Sequence, residues 1–173
     1  MSDTRALESM EAFLAHAIAI EVEASERYRE LAEQMRAHRN TACATLFDRL
    51  ASLEQKHAER LKGETGGRTL PKIEPWDYQW EGAEAPETIS FGGNHYLMTP
   101  RQALELALLN EERAQAFFVG ISKRALKSDV QALARRFAEE EREHVELISK
   151  WLESLPEAPQ DWARDLNGPV ELD

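Results

Sequence analysis

The sequence predicts an all-α fold: a four-helix bundle made of two helical hairpins joined by a long crossover connection. Three observations predict it. Apolar residues recur every three or four positions over four long stretches, the spacing of a helix with one buried face. Helix-stopping residues separate those stretches, with Pro and Gly gathered in one intervening segment. A short pattern of Glu and His also occurs twice, once in each half of the chain. A length of 173 residues suits one domain, taken as 1–173, with a good core. The 42% hydrophobic and 31% charged content, rich in Ala, Leu, Glu and Arg, fits a soluble helical protein.

The first helix is expected from about Arg5 to His38, where Leu7, Met10, Leu14, Ala17, Ala24, Tyr28, Leu31 and Met35 form a stripe. Glu21 sits inside that stripe, and a carboxylate there breaks the binary pattern. Asn40 is a suitable N-cap for a second helix over about 41–62, with Leu46, Leu50, Leu53, Glu54, His57 and Leu61 inward. The link between the two is short, so they should pack as an antiparallel hairpin. Gly63, Gly66 and Gly67 end the second helix.

From about 63 to 98 the helical period is lost. Pro71, Pro75, Pro86 and the aromatic run Trp76-Asp77-Tyr78-Gln79-Trp80 mark a long connection, expected to lie against the bundle or a partner. At roughly 3.3 Å per residue such a segment can run from one end of a bundle to the other. Thr99-Pro100-Arg101-Gln102 then combines an N-cap, a first-turn Pro and a capping-box Gln. It opens a third helix reaching to about Lys127, with Leu104, Ala107, Leu108, Glu111, Ala114, Phe118 and Ile121 inward. Ser128-Asp129-Val130-Gln131 reads as a second capping box, starting a fourth helix over about 129–155 that Pro156 and Pro159 stop. Its stripe is Leu133, Phe137, Ile148 and Trp151, with Glu141 and His144 among them. The tail, 156–173, carries Trp162 and Leu166 and fits either a short turn of helix or an extended strap.

The hairpins resemble each other. Helix 1 has Ala17-Ile18-x-x-Glu21-x-x-Ala24-x-x-x-Tyr28, and helix 3 has Ala107-Leu108-x-x-Glu111-x-x-Ala114-x-x-x-Phe118. Helices 2 and 4 share an apolar-Ala-x-x-Glu-x-x-His pattern, from Leu50 to His57 and from Phe137 to His144. A Glu and a His three residues apart share one helix face. Two such hairpins related by a pseudo-two-fold axis would bring Glu21, Glu54, His57, Glu111, Glu141 and His144 to one level of one core.

Four carboxylates in an apolar core cannot all stay ionised uncompensated, because desolvation and mutual repulsion oppose it. Two divalent cations balance four negative charges and accept two neutral imidazoles. Oxygen-rich ligands with one imidazole per metal suit iron or manganese, and zinc could substitute. Tyr28 reads as core, with a second role as hydrogen-bond donor to a ligand carboxylate. Phe117 and Phe118 read as core. Glu23, Glu112, Glu139, Glu140 and Glu143 read as a solvated face, and His16, His38 and His95 lack interpretable partner spacing.

Other classes are disfavoured. A net charge of −11 argues against nucleic acid and anionic lipid surfaces, and it would gather cations. No apolar run approaches about 18 residues, so no membrane span is expected. Cys43 stands alone, so neither an internal disulfide nor a cysteine-ligated metal is expected, and a reducing cytoplasm is the default.

With those six residues in place, the chain resembles the rubrerythrin branch of the ferritin-like superfamily over roughly 7–35, 46–61 and 104–155. One Glu from each of two helices and Glu-x-x-His from the other two is the ligand set of di-iron carboxylate bundles. The resemblance implies Glu54 and Glu141 as bridges between two irons, Glu21 and Glu111 as terminal carboxylates, and His57 and His144 as imidazole ligands, one on each iron. It also implies reduction of hydrogen peroxide, or dioxygen, to water. Two departures stand out. The further Glu that rubrerythrins carry one turn after the helix-3 ligand is Ala114 here, and their four-cysteine rubredoxin domain is absent. Electrons would then come from a separate donor protein, and the helical pairing suggests a homodimer. Two other functions share the features: ferroxidase or iron handling at the same site, and a metal-stabilised interaction protein using the Trp76–Trp80 segment.

Overall fold

The computed structural model describes residues 9–73 and 97–155. Four helices fill them: α1 (Met10–Ala37), α2 (Thr41–Gly63), α3 (Pro100–Arg124) and α4 (Ser128–Glu153). Leu7, the Trp76–Trp80 run, His95 and the tail with Trp162 and Leu166 lie outside the described residues. No helix among those described is long and apolar enough to cross a membrane.

Local chemistry sets most helix ends. Ser9 Oγ accepts the Ala12 N–H and caps α1. At the far end the N–H of Arg39 reaches the Arg36 carbonyl and that of Asn40 the Met35 carbonyl, a Schellman turn with Arg39 at φ 61°. Asn40 then caps α2 through the Cys43 N–H at 3.3 Å, so one residue closes one helix and opens the next. Thr99 and Gln102 form the expected reciprocal capping box at the start of α3.

The second expected capping box does not form. The N-cap of α4 is Lys127 rather than Ser128, and no side chain caps it. Gln131, which should have reached back to the cap, instead donates Nε2 to the Ala125 carbonyl at 2.7 Å, and Asp129 accepts the Val130 N–H at 2.8 Å. That bond across the α3–α4 turn also explains why α3 stops at Arg124, short of Lys127: Ala125 turns extended with ψ 139°.

Both hairpins pack antiparallel, as expected from their short links. The crossover returns the chain to the other end of the bundle. Asn40 Nδ2 donates to the Met98 carbonyl at 2.9 Å, and Cys43 Sγ contacts the same oxygen at 3.2 Å. The start of α3 therefore lies beside the start of α2, and the two helices run parallel. The connection has to span α2, whose 23 residues amount to about 34 Å of helix.

The core is divided. One apolar cluster, at the Asn40 end, holds Tyr28, Leu31, Met35, Phe47, Leu50, Leu104 and Ile148. The other, at the Gly63 end, holds Phe13, Leu14, Leu61, Phe118, Val130 and Phe137, with Phe13, Phe118 and Phe137 in ring contact at 5.5–6.0 Å. Residues matched by the internal repeat fall in opposite clusters: Tyr28 against Phe118, Leu50 against Phe137, Ile148 against Leu61. A two-fold axis through the middle of the bundle does just this. What lies on that axis is polar.

Candidate metal centre

Each helix contributes to the layer between the clusters. Glu21 stands between Ile20 and Ala24 on α1, Glu54 between Ala51 and Ala58 on α2, and Glu111 between Ala107 and Ala114 on α3. Glu141 and His144 stand between Ala138 and Ile148 on α4. Small alanines flank the carboxylates on every helix. Glu21, Glu54, Glu111, Glu141 and His144 are all buried, and His57 is mostly buried.

The six residues form two half-sites, one per hairpin. In the α3/α4 half, His144 Nδ1 lies 3.2 Å from Glu111 Oε2 and 3.3 Å from Glu141 Oε2. In the α1/α2 half, His57 Nδ1 lies 3.8 Å from Glu21 Oε2 and 3.9 Å from Glu54 Oε2. The halves meet where the imidazoles stack, with centroids 4.0 Å apart and planes 23° from parallel. Two triads bring ligand atoms within 4.8 Å of one another: Glu54, His57 and His144, and Glu111, Glu141 and His144.

Burial and mutual charge perturb the titrating groups of this layer. Burial, reinforced by the Glu141 charge, holds Glu21 well above the usual carboxylate range. Burial likewise lifts Glu111 to about 7, against the pull of its hydrogen bond from His144. Burial disfavours the His144 imidazolium, but its hydrogen bond to Glu111 and the negative charges of Glu111 and Glu141 together outweigh that and raise His144 to about 10. His57 goes the other way, down to about 3, through burial, the charge on His144 and the charge on Arg60. One imidazole is cationic and its stacked neighbour neutral.

The donor set fits metal ions. Glu21 Oε2, Glu111 Oε1 and Glu141 Oε2 are buried acceptors without a hydrogen bond, the last of them close to His144 Nδ1 but outside hydrogen-bond geometry. Buried carboxylate oxygens left in this state cost several kcal/mol, whereas oxygen and imidazole donors converging on one point suit divalent cations. Ala114 is fully buried at the position where a further carboxylate would stand, so α3 supplies one ligand-type residue to the layer.

Tyr28 stands two turns beyond Glu21 in the Asn40-end cluster, its ring stacked on Phe47 with centroids 6.1 Å apart. Phe118 is buried as expected, while Phe117 is only partly so. Three buried polar residues escaped the sequence pattern. His16 bonds through Nδ1 to the Ala12 carbonyl at 2.8 Å, within its own helix. Ser25 Oγ donates to the Ala51 carbonyl at 2.9 Å and ties α1 to α2 one turn from Glu21. Asn110, beside Glu111, is 1% exposed and its Nδ2 has no hydrogen-bond acceptor. Ser25 alone had a signal available, since it occupies an inward position one turn from an inward Glu.

A four-helix bundle of two hairpins, a long crossover between them and a polar layer of paired Glu and Glu-x-x-His positions define the ferritin-like class of proteins. The Rubrerythrin family model matches residues 12–98, and the chain belongs to that family. Among solved structures, an uncharacterized conserved protein from Magnetospirillum magnetotacticum is 38% identical with a TM-score of 0.66, over 87% of this chain and 98% of that one. No curated protein matches.

Proposed function

We propose that the protein is a di-iron carboxylate oxidoreductase that reduces hydrogen peroxide, or dioxygen, using electrons from a separate donor protein. The observation that carries this reading is the pair of Glu/Glu/His half-sites meeting through stacked imidazoles inside an apolar core. Glu21, Glu54 and His57 would hold one iron, and Glu111, Glu141 and His144 would hold the other. Bound there, the pair of irons supplies Lewis acidity and two electrons, which with two protons convert one peroxide to two waters. Short alanine side chains flank the carboxylates, and apolar clusters wall the layer above and below. Those walls exclude bulk water, which strengthens every charge interaction inside.

The residues also set the proton balance. Burial raises Glu21 and Glu111, and the carboxylates beside it raise His144, so loading competes with protons and metal affinity rises with pH. The pairing of amphipathic helices points to a homodimer rather than a storage shell.

The test is anaerobic loading with ferrous iron followed by one equivalent of peroxide. The expected result is loss of the peroxide with oxidation of two ferrous ions per chain. Iron that stays ferrous while the peroxide persists overturns the proposal. Chromatography with light scattering separates it from iron storage, since a large shell rather than a dimer would favour the latter.

A further inference from the structure

The centre has one side closest to water. The four carboxylates have side-chain exposures of 0–5%, whereas His144 is 8% exposed and His57 14%. Both imidazoles sit on the seam between α2 and α4. Four contacts cross that seam in antiparallel order: Arg49 over the Trp151 ring at 4.1 Å, His57 on His144, Arg60 to Glu140 at 2.5 Å, and Glu64 to Arg136. Arg136 also approaches Glu140 at 3.7 Å.

The ladder is uneven around the imidazoles. Toward the Gly63 end, the next contact is the Arg60–Glu140 pair, one turn from His57 and from His144 on their own helices. Toward the Asn40 end the Arg49–Trp151 contact lies about two turns away, with Leu50 and Ile148 of the apolar cluster between. Sequence pattern alone had assigned Glu140 to a solvated face. It is half-buried instead, with 23% of its side chain exposed and two guanidinium groups beside it.

We propose that divalent cations reach the centre through the α2/α4 seam, that the Arg60–Glu140 pair gates this route, and that Glu140 is the first carboxylate an incoming cation meets. This rests on the metal reading of the six buried residues. The pair is suited to the task because Arg60 is 46% exposed, and an ion pair that solvated is worth no more than about 1 kcal/mol. It therefore opens readily. When it opens, Glu140, next in sequence to Glu141, keeps only the longer 3.7 Å approach of Arg136, and Arg60 withdraws a positive charge that would repel a cation at the imidazole edge. A chain with net charge −11 concentrates cations around the whole molecule, and the gate determines where they enter.

The test is the rate of Co(II) uptake by metal-free protein in stopped flow at low ionic strength, followed by absorbance of the bound ion. Arg60→Gln is expected to speed uptake about fivefold and Glu140→Gln to slow it about as much, the factor that about 1 kcal/mol represents. Final stoichiometry should stay as in wild type, and high salt should close the gap. Arg27→Gln and Glu30→Gln make the same charge changes at an exposed 3.3 Å ion pair on α1 and should leave the rate unchanged. Wild-type uptake of two cobalt ions with equal rates in both seam variants overturns the gate alone, as do α1 variants that match the seam variants. A wild-type chain that takes up no cobalt overturns the metal reading and the gate with it.

Discussion

With no cation bound, protons balance charge in the polar layer, and a pH dependence follows from where they sit. His144 is held up to about 10, so its contribution to stability is complete below its ordinary value near 6.5 and is lost as pH rises through about 10. Glu111, raised to about 7, contributes in the same direction between about 4.5 and 7. His57 has the opposite sign: held at about 3, it favours the folded state above 6.5 and costs stability as pH falls toward 3. From pH 7 upward these groups leave only a loss. Chelator-treated protein should therefore melt at progressively lower temperature from pH 7 to 9.5, by circular dichroism, whereas metal-loaded protein should not. Single substitutions distinguish the half-sites. Glu111→Gln should abolish tight binding at the α3/α4 half while leaving one ion per chain, and Glu21→Gln should do the reverse, both read by calorimetric titration with Mn(II). Loss of both ions in either variant would mean that the two halves are not separable.

At the scale of helices and turns, the caps behaved as their chemistry dictates where the side chain had no competing partner. Asn40 and Thr99 were legible because an Asn or Thr before an apolar period has one dominant use. Ser128 was misleading because the residue meant to complete its box, Gln131, found a better acceptor across the turn, at the Ala125 carbonyl. No local pattern reveals that. Arg39 was invisible for a different reason: its φ of 61° comes from the Schellman turn, where glycine is the usual residue. Arg39→Gly should accordingly raise stability by about 1 kcal/mol, measured by urea unfolding, since a left-handed non-glycine residue costs about 1–2 kcal/mol. Phe137→Ala is the counter-example. It removes a ring stacked on Phe13 at 5.5 Å and set edge-on to Phe118, and should cost about 3–5 kcal/mol in the same assay.

For the molecule as a whole, the two-fold repeat is what made fold and site legible together. Glu21 and Glu111, or Glu54 and Glu141, mean little singly, since a helical Glu is usually solvated. Their matched register in two hairpins puts them in one layer, and the layer lies where the apolar core divides. Where the chain re-enters the bundle was legible only in part, because the start of α3 is fixed by bonds such as Asn40 to Met98 that join residues far apart in the chain. The stacking of His57 on His144 across the α2/α4 seam could not be read either, since helix periodicity gives the face a residue occupies but not the opposing residue on another helix. The central claim is that this layer holds two cations between the apolar clusters. Anomalous scattering from crystals grown with iron or manganese tests it most directly. The account requires two peaks in the polar layer, one beside Glu21, Glu54 and His57 and the other beside Glu111, Glu141 and His144. A layer with no peak, or metal found only at surface carboxylates, would contradict it.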